Sequence, residues 1–217
     1  MRLGIFGGTF DPPHLGHLLA ASDAFEHLSL DRLVFVPAAV QPLKAGRPTA
    51  SGADRLTMTR LTIGADSRFD VDAIEIDREG LSFTVDTLRG FARQYPSAGR
   101  YFLVGADVLS SFARWRDPQA VLELATLAIL TRRADPDAAA SWESPSAERS
   151  GPPAGSATDA AEAALQAELA RRATMVPTRR IDISSTEIRD RVRSGKPIHG
   201  FVTDAVAAYI GSHGLYR

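Results

Sequence analysis

The stretch Gly7-Gly8-Thr9-Phe10-Asp11-Pro12-Pro13-His14-Leu15-Gly16-His17 joins a short apolar run, Arg2–Phe6, to an amphipathic one that starts at Leu15. Glycines just past a strand end let the backbone run close to a ligand and turn N–H groups toward an anion. His14 and His17 stand three apart at a helix start, so both imidazoles can face one phosphate group. The positive helix N-terminus lowers their proton affinity in an empty site, and an arriving polyphosphate raises it again. Imidazoles so placed donate hydrogen bonds to charge that builds on leaving phosphates. A tight turn with two incidental surface histidines is the bland alternative, and it leaves two histidines bracketing a glycine unexplained. The pattern is neither Gly-x-Gly-x-x-Gly nor Gly-Lys-Ser/Thr, which removes most of the case for a redox dinucleotide enzyme or a P-loop ATPase.

A second cluster lies far downstream, at Ile183-Ser184-Ser185-Thr186-Glu187-Ile188-Arg189. Ser184 with Glu187 three residues on fits a capping box, so a helix begins here. A plain cap accounts for those two residues but not for the further hydroxyls and the arginine one turn in. Exposed N–H groups, hydroxyls and a guanidinium at one helix start form a second anion site. Together the two sites can hold a triphosphate from both ends.

Apolar periodicity supplies the elements that must position these groups. Strands are predicted at Arg2–Phe6, Arg32–Val36, near Val71–Ile76, at Tyr101–Val104, Leu127–Leu130 and Ile181–Ile183. Helices are predicted at about Leu15–Leu28, Ala53–Ile63, Thr84–Tyr95, Ala120–Ala125, Thr158–Arg172, Ser185–Ser194 and Thr203–Ser212. Gly195 and Gly214 close the last two. The β–α alternation argues an α/β fold with a Rossmann-like parallel sheet and helices on both faces, as one domain over 1–217. The stretch of about 134–157 is dominated by Ala, Ser, Pro and Gly. Its composition buries too little apolar surface to offset its ordering entropy, so it reads as a flexible insertion.

Composition removes other classes. There are no cysteines, which excludes disulfides, thiolate metal sites and a cysteine nucleophile. Lys and Arg number 25 against 26 Asp and Glu, so no overall field favours nucleic acid or an anionic membrane. No run approaches the length of a membrane span and the first residues lack a signal peptide's apolar core, so the expected location is cytoplasmic.

The two phosphate motifs in this order resemble the nucleotidyltransferase superfamily with the Thr/His-x-Gly-His signature. Within it the sequence is similar to the bacterial nicotinate-nucleotide adenylyltransferases, on Glu75–Leu88, Val104-Gly105-Ala106-Asp107, Trp115 and the ending Tyr209–Tyr216. The resemblance spans nearly the whole chain apart from about 134–172. It implies transfer of the adenylyl group of ATP to nicotinate mononucleotide, with pyrophosphate leaving, as a step of NAD biosynthesis. His14, His17 and Arg189 would be catalytic. ATP would be held by Gly7, Gly8, Thr9, Phe10, His14 and His17, and from the other side by Ser184, Ser185, Thr186 and Arg189. The mononucleotide would meet Lys44, Thr84, Gly105, Ala106, Asp107 and Trp115. Mg²⁺ would arrive with the ATP phosphates, since no carboxylate cluster is fit to be a dedicated cage. Pro42-Leu43-Lys44 departs from the family's Pro-His-Lys. Another adenylyltransferase of the superfamily, such as one acting on phosphopantetheine, and a non-catalytic nucleotide sensor are the alternatives. Partners are small nucleotides, and the sequence leaves homo-oligomerisation open.

Overall fold

The computed structural model describes residues 1–40, 50–132 and 157–217. Lys44 and nearly all of the predicted insertion lie outside the described residues. Strand β1 (Arg2–Gly8) leads through the glycine-rich turn into α1 (Leu15–His27), then β2 (Arg32–Pro37), α2 (Gly52–Ile63) and the short β3 (Phe69–Val71). Helices α3 (Ile74–Arg78) and α4 (Thr84–Gln94), strand β4 (Gly99–Gly105) and a 3₁₀ helix (Ala106–Arg114) follow. Next come α5 (Pro118–Leu124), β5 (Thr126–Arg132), α6 (Ala157–Arg172), β6 (Thr174–Thr178), α7 (Ser185–Arg193) and α8 (Asp204–Ser212).

All strand pairs are parallel, in the order β3-β2-β1-β4-β5-β6. Side chains alternate between the two faces of the sheet. Leu3, Ile5, Val34 and Val36 therefore join Leu88, Phe91 and Phe112 in one core, while Phe6, Leu33 and Phe35 join Ala21, Ala24 and Leu103 in the other. A third cluster ties α2, α7 and α8 together around Met58, Ile188, Val206 and Ile210. The chain order reverses between β1 and β4, and ligands of open α/β sheets bind in the crevice at the carboxyl ends of such a pair. Gly8 and Gly105 mark those two ends.

Two predicted elements need correction, and one element is not predicted. The strand expected near Val71–Ile76 ends at Val71, and Ile74–Arg78 is helical. Asp72 turns the chain, its carboxylate accepting the Ile74 N–H at 2.8 Å. The alternation of Ile74 and Ile76 that suggests a strand reflects packing of Ile74 against Gly90 instead, with Glu75 buried beside it. The sixth strand is Thr174–Thr178 rather than Ile181–Ile183. Pro177 disguises it, tolerated because β6 is a sheet edge. The ladder stops where the Arg179 N–H turns to the Asp23 carboxylate, 2.8 Å away. The 3₁₀ helix Ala106–Arg114 has no counterpart in the predicted elements.

Candidate active site

A cleft of about 630 Å³ opens at the carboxyl ends of β1 and β4. One wall is the turn after β1. Gly7, Gly8, Thr9, Phe10, His14 and His17 all line it. Close packing dictates the glycines here. A Cβ on Gly8 would stand 2.8 Å from the Phe10 ring, and one on Gly16 would stand 2.9 Å from His14 Nδ1. Gly16 thus makes the room that lets the His14 imidazole fold over the first turn of α1. Phe10 adopts a left-handed backbone, φ 49°, unusual for a bulky residue. Burial against Phe6, Phe35 and His17 over-determines that conformation.

His14 is the N-cap of α1 and 7% exposed. The two imidazole centres are 3.7 Å apart with their planes tilted by 30°, so the predicted pairing of His14 and His17 is realised. The His14 backbone N–H donates to His17 Nδ1 at 3.2 Å, which leaves His17 Nε2 to carry the ring proton. Burial lowers the His14 pKa from 6.5 to about 4. The direction matches the expectation, but the cause is loss of water rather than the helix terminus. His14 Nδ1 and Thr9 Oγ1 are buried with no hydrogen-bond partner among the described residues.

The opposite wall is the start of α7, where Ser184, Ser185, Thr186 and Arg189 all reach the cleft. Ser184 Oγ accepts the Glu187 N–H at 3.1 Å, as the predicted cap requires. The Ser185 hydroxyl donates to the Pro12 carbonyl at 2.8 Å, and Arg189 Nη1 donates to the Asp11 carbonyl at 2.7 Å. Arg189 Nη2 donates to Thr186 Oγ1 at 3.1 Å. The two motifs, more than 160 residues apart in sequence, are therefore bound directly to each other.

The far end of the cleft is formed by Glu75, Ser82, Thr84, Gly105 and Trp115. Thr84 is the first residue of α4, and Phe83, not Thr84, occupies the cap position. Trp115 is half-buried on Phe112 and Phe102. The segment after it is tied to α4 by Arg116 to Asp86 and Arg89 to Asp117, at 3.4 and 2.7 Å. Ala106 is exposed and is not on the cleft wall, because the chain turns away into the 3₁₀ helix directly after Gly105. The Asp107 side chain and Lys44 lie outside the described residues. A second compartment of about 300 Å³, lined by Gly16, Ala20, Leu130, Thr178, Arg179 and Ile181, meets the first at His14, His17 and Gly105.

Sequence reasoning missed several groups. Arg55 in α2 is 3% exposed and donates to the carbonyls of Thr9 (2.8 Å), Ala38 (2.5 Å), Ala39 (3.0 Å) and Ala50 (3.1 Å). It pins the glycine-rich turn to the end of β2. Burial lowers its pKa, opposed chiefly by the charge of Asp11. Glu75 is buried and accepts the Thr87 hydroxyl at 2.5 Å, and Ser82 Oγ accepts the Ala39 N–H at 2.9 Å. Both fall within Glu75–Leu88, the stretch that carries the resemblance, without a local signal of what they touch.

A parallel α/β sheet with two helix starts facing each other at its switch point is the architecture of a nucleotidyltransferase. The family model described as cytidylyltransferase-like matches residues 5–191. Over all 217 residues the chain is 46% identical to a probable nicotinate-nucleotide adenylyltransferase of Gemmatimonas aurantiaca, covering 93% of that protein. It is 40% identical to one of Thermus thermophilus, over the whole of both chains. A solved structure of Plasmodium falciparum nicotinic acid mononucleotide adenylyltransferase complexed with NaAD shares the fold, with a TM-score of 0.70 over 99% of this chain and 97% of that one at 16% identity. The chain belongs to the cytidylyltransferase-like family and, within it, to the nicotinate-nucleotide adenylyltransferases.

Proposed function

We propose that the protein transfers the adenylyl group of ATP to nicotinate mononucleotide, giving nicotinate adenine dinucleotide and pyrophosphate. The observation that carries the residue assignment is a pair of buried, unpartnered polar atoms, Thr9 Oγ1 on the wall of the main cleft and His14 Nδ1 at its junction with the second compartment. Buried polar groups are nearly always satisfied, so an unsatisfied pair on a cleft wall marks where a polar ligand sits. The phosphates lie at that junction, between His14 and His17 on one side and Ser184–Arg189 on the other. The mononucleotide takes the Thr84 and Trp115 side, where a flat indole suits a pyridine ring. The N–H groups of Thr84 and Val85 open α4 ahead of the first helical hydrogen bonds, which suits the carboxylate of the acid over the amide. Adenosine takes the compartment beside Gly16, Leu130 and Arg179.

A 5′-phosphate oxygen of the mononucleotide forms a bond to the α-phosphorus of ATP, and the bond from that phosphorus to the β-phosphate bridging oxygen breaks. No protein nucleophile is required. The chain aligns the two reactants, worth on the order of 7–11 kcal/mol in favourable cases. His14, His17 and Arg189 stabilise the charge that gathers on pyrophosphate. An arriving phosphate opposes the effect of burial on His14 and raises its proton affinity. Mg²⁺ enters as part of the ATP substrate. No group of three or more His, Asp or Glu among the described residues is placed to hold a metal. Such a reaction belongs in the cytoplasm; no helix among the described residues is long and apolar enough to cross a membrane.

The test is pyrophosphate release from ATP with nicotinate mononucleotide, nicotinamide mononucleotide or 4′-phosphopantetheine. Release with the first in clear preference is expected. Preference for phosphopantetheine, or nucleotide binding without release from any acceptor, overturns the reading.

A further inference from the structure

We propose that Tyr216, the penultimate residue, is a positioning residue for Arg189, acting through the buried carboxylate of Asp11. The inference rests on Arg189 being a phosphate clamp. Asp11 is 3% exposed, and its Oδ1 accepts two neutral donors, the Tyr216 hydroxyl at 2.8 Å and the Ala50 N–H at 3.0 Å. Its Oδ2 stops 3.7 Å from Arg189 Nη1. That nitrogen donates instead to the backbone carbonyl of Asp11, and Nη2 donates to Thr186. A guanidinium has five N–H donors in a rigid fork, so this arrangement commits two and leaves others for a ligand. The carboxylate attracts the guanidinium into place without capturing it.

Both donors to Oδ1 are themselves fixed. Ala50 is held through its carbonyl by Arg55, and the Tyr216 ring packs against the Met58 cluster while Leu215 N–H bonds to the Ile210 carbonyl at 3.1 Å. Burial, then the Asp11 charge and hydrogen bond, push the Tyr216 hydroxyl above its usual range, so it remains a donor at every working pH. With that hydroxyl gone, Oδ1 loses one of its two restraints. The carboxylate is then free to turn and close on Arg189 as a direct charge-assisted pair, which competes with the phosphates for the same N–H groups.

The test is Tyr216→Phe in the full chain, which keeps the ring and removes only the donor, combined with Arg189→Ala in a double-mutant cycle. KM for ATP is expected to rise about three- to ten-fold, in line with one hydrogen bond, while KM for the mononucleotide stays within about two-fold. In the Arg189→Ala background the same substitution should change KM for ATP by less than about 1.5-fold. An unchanged KM for ATP, or an equal effect in both backgrounds, overturns the proposal and leaves Tyr216 a packing residue. Arg189→Ala with normal ATP kinetics would instead overturn the clamp itself. Should Tyr216→Phe fail to fold, Asp11→Asn keeps the acceptor and removes the charge. Its effect on KM for ATP must likewise vanish without Arg189, and additivity would count against the proposal.

Discussion

Two helix starts face each other across the cleft, and they are finished differently. At α7 the chain supplies every partner shown for the start of the helix. Ser184 accepts the Glu187 N–H, Ser185 donates to Pro12, and Thr186 accepts from Arg189. At α1 the cap residue is an imidazole, buried, with its Nδ1 unpartnered beside an unpartnered Thr9 hydroxyl. At the first, each of these side chains already has a partner within the chain. The second leaves two buried polar atoms unsatisfied. The rule that buried polar atoms find partners is kept at one and broken at the other, and such breaks are expected where function is carried.

The largest effect should come from the unfinished side. In the proposed role, His17→Ala removes a donor to the developing pyrophosphate charge, an expected loss of about 2.7–4 kcal/mol or ~100- to 1,000-fold in turnover. The melting temperature should change little. Near-normal turnover in a folded variant would erase the distinction between the two helix starts.

His14 sharpens the comparison through pH. Its pKa of about 4 in the native state lies below the ordinary 6.5, so between those values the unfolded chain holds a proton that the native chain lacks. Its contribution to stability is complete above pH 6.5 and is lost as pH falls toward 4, by up to about 3 kcal/mol. In denaturant titrations across that window the protein should lose stability relative to His14→Asn as pH falls. Parallel curves would mean that the imidazole is not buried as described.

Gly16→Ala probes the space that seats His14. Helix propensity alone predicts a gain of up to about 1 kcal/mol. The added Cβ meets the His14 ring, however, so turnover should fall at least about ten-fold, with a higher KM for ATP. A more stable and fully active variant would show that the ring has somewhere else to go.

The smallest effect belongs to the finished side. Ser184→Ala deletes a cap and should cost about 1 kcal/mol of stability. KM for ATP should rise only about two- to three-fold, because Arg189 keeps its hydrogen bonds to Asp11 and Thr186. A loss in turnover comparable to that of His17→Ala would make the two helix starts equivalent and refute the contrast.

Much of this arrangement is legible before any coordinates. The Gly7–His17 turn, the Ser184 cap and the glycines that end α7 and α8 with positive φ, Gly195 at 66° and Gly214 at 61°, are local. Their residue types and spacing carry the geometry. Elements whose local pattern conflicts with their place in the sheet are misread. β6 hides behind Pro177, and Ile74–Arg78 imitates a strand because packing on Gly90 and the Asp72 turn outweigh its alternation.

The chain by itself thus determined what lies within reach of one turn or one strand: which helix starts carry the hydroxyls and imidazoles, where the imidazoles stand, and the alternating order of strands and helices. Only the tertiary structure decided what distant residues do to one another. Nothing near Arg55 in sequence indicates that it will bridge the carbonyls of Thr9, Ala38 and Ala39, and nothing near Tyr216 indicates a bond to Asp11, 205 positions away. The reason is physical. Periodicity and capping are set by contacts three or four residues apart, whereas a buried guanidinium or hydroxyl takes whichever acceptor the packed sheet and helices bring to it.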